Sequence, residues 1–139
     1  MKRMSVLLAV GAASLAVAAC GESEQEKAQN EVCDSRADIQ QQVDDLKGLT
    51  FSADSPDKIQ DGLNSIGDDL QNIKDAQGEL DGERKQQVES AVQSFEAEVK
   101  SVAGDLGSLT LSNAKTQLKS ATTDLANGFR KSFQPVDCS

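Results

Sequence analysis

Apolar residues recur in steps of four and three along most of this chain, and this spacing constrains its fold more than any other feature. The clearest run is Ile59, Leu63, Ile66, Leu70 and Ile73. Such a run places its side chains on one face of an α-helix, where they can form the seam of a helix bundle. No stretch alternates with period two for long enough to predict a strand. The sequence therefore predicts an all-α fold.

Capping and helix-breaking residues divide this periodic region into four predicted helices. Their approximate extents are 24–47, from Ser55 through Ile73, from Val88 through Leu106, and from near Ser112 to the residue before Pro135. Ser55 is the expected N-cap of the second helix, because Pro56 fits the first helical position. Beyond Ile73 the four-three pattern slips by one position across Gly78 and Gly82, which favours a turn over one long helix.

The start of the chain has a different character. Two basic residues, Lys2 and Arg3, precede an apolar segment at 6–16 and small residues at 17–19. This order is typical of a secretory signal peptide. Two alternatives stay open. One is an uncleaved transmembrane helix, although the stretch 5–19 is shorter than the ~20 residues needed to span a bilayer. The other is ordinary cleavage that releases a soluble protein.

The small residues run directly into a cysteine, in the stretch Val17-Ala18-Ala19-Cys20. This stretch resembles the lipobox of bacterial lipoproteins, with Val17 in place of the common Leu. The resemblance covers residues 1–20 and implies cleavage before Cys20, a diacylglycerol on its thiol and acylation of the new amine. Two or three acyl chains anchor a protein stably, at ~0.8 kcal/mol per buried methylene. We therefore expect a lipid-anchored protein on the exported face of a bacterial cell membrane.

These features divide the chain into a signal peptide at 1–19, an acidic tether at 20–27 and a helical bundle at 28–139. Loss of Lys2 and Arg3 from the 14 basic residues would leave 12 against 23 acidic ones, a formal charge of −11. Such a surface repels nucleic acid, which we therefore do not expect as a partner. The chain has no His, Trp or Tyr, so it lacks the usual side chains for acid–base catalysis near neutral pH.

The remaining cysteines bear on the number of helices. With Cys20 assigned to lipid, Cys33 and Cys138 are left as a pair in an exported protein, where disulfides persist. Separate thiols and a bond between chains are the alternatives. An even number of antiparallel helices brings Cys33 and Cys138 to one end, whereas three helices would separate them beyond the ~7 Å limit between Cα atoms. We predict an antiparallel up-down-up-down four-helix bundle, closed by a Cys33–Cys138 disulfide.

Two features bear on how tightly these helices pack. Many seam positions are Ala or Val, so the predicted core has few large side chains. A disulfide that closes a loop of about a hundred residues could add up to ~5 kcal/mol to the free energy of unfolding. Gly62 and Gly67 flank the seam of the second helix. They either allow close helix approach or simply weaken the helix by ~1 kcal/mol each.

The predicted connections between helices 1 and 2 and between helices 3 and 4 carry apolar residues. These are Leu49, Phe51, Leu109 and Leu111. In an up-down-up-down bundle, both connections lie at the end opposite the disulfide and the lipid. Their side chains either fold inward and plug the core or form an exposed tip that binds a partner.

Candidate chemical motifs are weak. Ser-x-x-Lys occurs at 55–58 and 112–115 and resembles the nucleophile motif of penicillin-binding enzymes, but both copies fall at expected helix N-caps and no companion motif follows. Two acidic pairs, Asp44-Asp45 and Asp68-Asp69, fall within predicted helices. Adjacent residues of a helix point in different directions, so neither pair predicts a metal site. We expect no enzyme activity and no cofactor. The expected role is non-catalytic, in interaction with an envelope or extracellular protein or in envelope structure; the alternative is a module that binds a small apolar ligand between its helices.

Overall fold

The computed structural model describes residues 23–49, 55–107 and 113–138, and these residues form four α-helices and no strand. The helices are α1 (Glu24–Lys47), α2 (Ser55–Gln77), α3 (Gly82–Gly107) and α4 (Ala114–Phe133). The prediction of an all-helical fold with four helices is confirmed. Among the described residues, no helix is both long enough and apolar enough to cross a membrane.

A reciprocal pair of hydrogen bonds fixes the start of α1. The Ser23 hydroxyl accepts from the Glu26 backbone N–H at 3.2 Å, and the Glu26 carboxylate accepts from the Ser23 N–H at 2.9 Å. This capping box satisfies two backbone donors that have no partner within the helix. Because α1 begins at Glu24, the last residues of the 20–27 segment are helical.

The starts of α2 and α3 differ in detail from expectation. Ser55 is the first residue of α2 rather than its N-cap, and it is buried. At α3, the Asp81 carboxylate accepts from the Arg84 backbone N–H at 3.1 Å, so the helix already begins at Gly82. The turn between the second and third helices therefore lies where the slip in the apolar pattern predicts it.

The predicted seams form the core. In α1 and α2 the apolar residues that recur in steps of three and four are all buried, and in the α3 run only Val99 and Leu106 stay partly exposed. The ring centroid of Phe95 lies 5.3 Å from that of Phe129 and 5.9 Å from that of Phe133, and both ring pairs have edge-to-face geometry. Such ring pairs contribute about 0.5–1.5 kcal/mol each beyond burial. They join α3 to α4.

Each helix packs on two neighbours. Within the described part of the chain, α1 packs against α2 and α4, and α3 packs against α2 and α4, whereas no Cα atoms of the diagonal pairs α1–α3 and α2–α4 lie within 8 Å of each other. The contacts are largest within the pairs α1–α2 and α3–α4. A Cβ on Gly62 would lie 2.8 Å from Leu46 Cδ2, whereas a Cβ on Gly67 would meet no atom within 4 Å. Close helix approach therefore depends on glycine at Gly62 and not at Gly67.

Candidate functional site

The disulfide joins the first half of α1 to the end of the chain. Cys33 and Cys138 are bonded, with their Cα atoms 5.6 Å apart. This distance falls within the range for an unstrained bridge. The predicted intramolecular disulfide is confirmed.

The segment that follows α4 lies against α1. The Gln29 amide donates to the Asp137 carbonyl at 3.3 Å, and the Arg36 guanidinium donates to the Val136 carbonyl at 3.4 Å. The Val136 side chain is buried. Two backbone carbonyls and one apolar side chain thus hold the C-terminal segment in place together with the disulfide.

A polar cleft of about 410 Å³ opens beside the disulfide, between α1, the start of α3 and the C-terminal segment. Asp81, Glu83 and Asp137 line it. Its cation, Arg84, donates to the Gln29 side-chain oxygen. The guanidinium therefore serves to join α3 to α1, and the other charged residues that line the cleft are acidic.

A second cleft lies at the opposite end of α1, where it meets the starts of α2 and α4. Its apolar lining consists of Leu46, Leu49, Ile59 and Leu118, and its basic lining consists of Lys47, Lys115 and Lys119. We call these seven residues the lysine groove. Its volume is about 160 Å³. Lys115 and Lys119 are four positions apart on α4, so they lie one turn apart on the same face.

The basic residues of the lysine groove stand out against the acidic chain. Helix α4 carries four basic residues and one acidic residue, whereas α1, α2 and α3 each carry more acidic than basic residues. A neighbouring cleft of about 170 Å³ follows the α1–α4 contact and is lined by Lys47 and Arg130, with Asp44 beside them. A basic strip with an apolar floor therefore runs along this contact.

The structure places one of the four predicted tip residues. Leu49 is half-buried, packs against the core and lines the lysine groove. Phe51, Leu109 and Leu111 lie outside the described residues, as does Cys20. For those three apolar residues, the choice between a core plug and an exposed tip stays a prediction.

The lysines of the groove were not predicted as site residues. Their signal was available in the sequence, because α4 is the one helix of the four in the described chain with an excess of basic residues. A net charge summed over the whole chain hides such a local excess. The excess becomes a site only because Lys47, at the end of α1, lies beside the start of α4.

The acidic pairs lie on α1 and α2. In the described ranges, no group of three His, Cys, Asp or Glu residues comes together to hold a metal ion. Asp69 accepts a hydrogen bond from the Gln42 amide at 2.9 Å, which joins α2 to α1. Burial, and then the charge of Asp38, raise the pKa of Asp69 above its ordinary 3.8; the Gln42 hydrogen bond lowers it, and Asp68 raises it further. Asp69 thus belongs to a contact between helices.

Comparison of the chain with family models, with curated proteins and with solved structures finds no match. The residues of the chain therefore carry the functional inference by themselves.

Proposed function

We propose that this protein is lipid-anchored on the exported face of a bacterial cell membrane and has a non-catalytic role in binding or envelope structure. The observation that carries the anchor is the pairing of the cysteines. Cys33 bonds to Cys138, which leaves Cys20 with no other cysteine of the chain to pair with. Cys20 is also the residue that closes the lipobox-like stretch, so lipidation accounts for its position.

We further infer that the bundle is antiparallel, in up-down-up-down order. Contacts at one end involve the first half of α1, the start of α3 and the segment after α4, through Gln29, Arg84 and Asp137. At the other end, the lysine groove brings together the end of α1 and the starts of α2 and α4. These contacts support a chain that reverses direction at each connection.

This arrangement would place the lysine groove away from the membrane. Only Gly21 and Glu22 separate Cys20 from the Ser23 cap, so the lipid would lie within about 10 Å of the start of α1. Helix α1 has 24 residues, which at 1.5 Å per residue makes it about 36 Å long. The groove at its far end would therefore face the surroundings rather than the lipid, as a binding surface requires.

The dimensions of the lysine groove favour a protein partner over the alternative of a small apolar ligand. Sites that enclose small molecules usually have volumes of about 300–1,000 Å³. The groove has about 160 Å³, room for one large side chain. A partner that contributes one side chain to the groove and more contacts around it fits this size better than an enclosed ligand.

The anchor is tested by replacing Cys20 with Ala in the full chain and following the protein in its bacterial host. We expect the wild-type protein to incorporate radiolabelled fatty acid and to sediment with membranes, and the Cys20→Ala variant to do neither. The double variant Cys33→Ala/Cys138→Ala is the matched control, because it removes two cysteines and keeps Cys20. Fatty-acid labelling that persists in Cys20→Ala would refute the anchor.

A further inference from the structure

We propose that the lysine groove binds an acidic segment of a partner protein, which inserts one aliphatic or aromatic side chain between the three lysines. The inference rests on the proposed binding role and names the chemistry of the partner. It follows from the shape of the groove, its charge and its position on the bundle.

The floor of the groove belongs to the core. Leu46, Ile59 and Leu118 are 5, 2 and 4% exposed, and they come from three different helices. Leu49 stays half-buried beside them, directly after the end of α1. An apolar side chain of a partner would meet a surface that is already ordered, so its binding would cost little conformational entropy in this protein.

The three lysines form the rim of the groove, and their positive charge favours an anionic partner. Within the described part of the chain the one ion pair joins Lys74 to Glu96, so the ammonium groups of Lys47, Lys115 and Lys119 have no carboxylate partner there. All three lysines are exposed and line the same cleft. Carboxylates that flank an apolar anchor would meet these ammonium groups while the anchor fills the groove.

The rest of the molecule argues against other anionic partners. A formal charge of −11 on residues 20–139 would repel a nucleic acid that extends beyond the groove. An anionic bilayer would meet the same repulsion, and the inferred orientation places the groove at the far end from the anchor. A short acidic segment is small enough to contact the three lysines without extending over the rest of the acidic surface.

The test uses the full chain, purified from whole cells solubilised in mild detergent whether or not it sediments with membranes, and a fluorescent amphipathic peptide made of Glu, Leu and Phe. A peptide with Gln in place of every Glu is its control, because a basic peptide would be attracted to the acidic surface of this protein. We expect the acidic peptide to bind and the neutral peptide to bind much more weakly. Fluorescence anisotropy measures both affinities, and neither measurement requires the lipid on Cys20. A failure of peptide binding is therefore distinguishable from a failure of the anchor.

Two triple variants separate the groove from net charge. Lys47→Glu/Lys115→Glu/Lys119→Glu reverses the rim. The control variant reverses three exposed lysines outside the groove, Lys27, Lys85 and Lys100. Both change the net charge equally. We expect the rim variant to weaken binding of the acidic peptide by about tenfold or more and the control variant to change it much less.

Helix content measured by circular dichroism shows whether both triple variants are folded, and a Lys→Gln triple variant at the rim gives a milder test. Several results would overturn the inference. One is no binding of the acidic peptide up to about 1 mM, and another is equal weakening in the two triple variants. Binding of dodecanoate but not of the peptide would assign the groove to a small ligand. Peptide binding that occurs only after Phe51→Ser would assign it to a side chain of this protein.

Discussion

Replacing Gly62 with Ala is expected to destabilise this protein or leave its stability unchanged, whereas the same replacement at Gly67 is expected to stabilise it. Both glycines lie in α2, five positions apart. They differ in their surroundings, because an added Cβ at Gly62 would reach the side chain of Leu46 and one at Gly67 would reach open space. The pair therefore measures how closely α1 and α2 approach.

The magnitude follows from two opposing effects. Alanine stabilises a helix interior by about 1 kcal/mol relative to glycine, and Gly67→Ala should gain this in full. At Gly62, the added Cβ would lie 2.8 Å from Leu46 Cδ2 and 3.1 Å from both Cδ1 and Cγ. Because Cγ as well as the terminal methyl groups of Leu46 is this close, the whole buried side chain would have to shift. Overpacking of this kind costs about 1–3 kcal/mol, which offsets or exceeds the gain.

Urea unfolding of the oxidised protein, followed by far-UV circular dichroism, measures both free energies of unfolding. We expect the variants to differ by about 1–3 kcal/mol, with Gly67→Ala the more stable. In a Leu46→Ala background, Gly62→Ala should become stabilising, because the obstructing atoms are gone. If Gly62→Ala alone stabilises the protein as much as Gly67→Ala does, the inference that α1 and α2 approach too closely at Leu46 to admit a Cβ is refuted.

Three further outcomes are expected. Cys33→Ser/Cys138→Ser should lose up to about 5 kcal/mol of unfolding free energy, because the bond spans 105 positions; in urea titrations, a reductant should destabilise the wild type and leave this variant unchanged. Asp69→Asn should stabilise the protein at neutral pH, since burial and neighbouring carboxylates raise the pKa of Asp69 and so disfavour its ionised form in the folded state. That advantage should shrink as the pH falls through the raised pKa towards 3.8, because the folded wild type then takes up the proton, and urea titrations across this pH range would show it. A double-mutant cycle on Lys74 and Glu96 should give a coupling below about 1 kcal/mol, because both side chains are partly exposed and water screens the pair; a coupling well above this would contradict that reasoning.

The parts of the fold that the sequence predicts are those set by local chemistry. The α2 seam from Ile59 to Ile73 is buried as its spacing requires, because one helix face must lie against the core. The start of α3 was not predicted, since residues 82–86 are exposed and carry no apolar signal. Its signal was the Asp81 carboxylate, which caps the helix. The two glycines of α2 were indistinguishable for a similar reason, because only the neighbouring helix tells Gly62 from Gly67.

The lysine groove shows why the candidate site was only partly predicted. Leu49 was identified because an apolar residue in a connection is unusual, and it does line the groove. Its lysines come from positions 47 and 115–119, which nothing in the four-three pattern brings together. What brings them together is topology: the disulfide holds the end of the chain against the first half of α1, so α4 begins beside the end of α1. Counting charge separately for each helix, and then placing the helices by the disulfide, would have located this basic surface on an acidic protein.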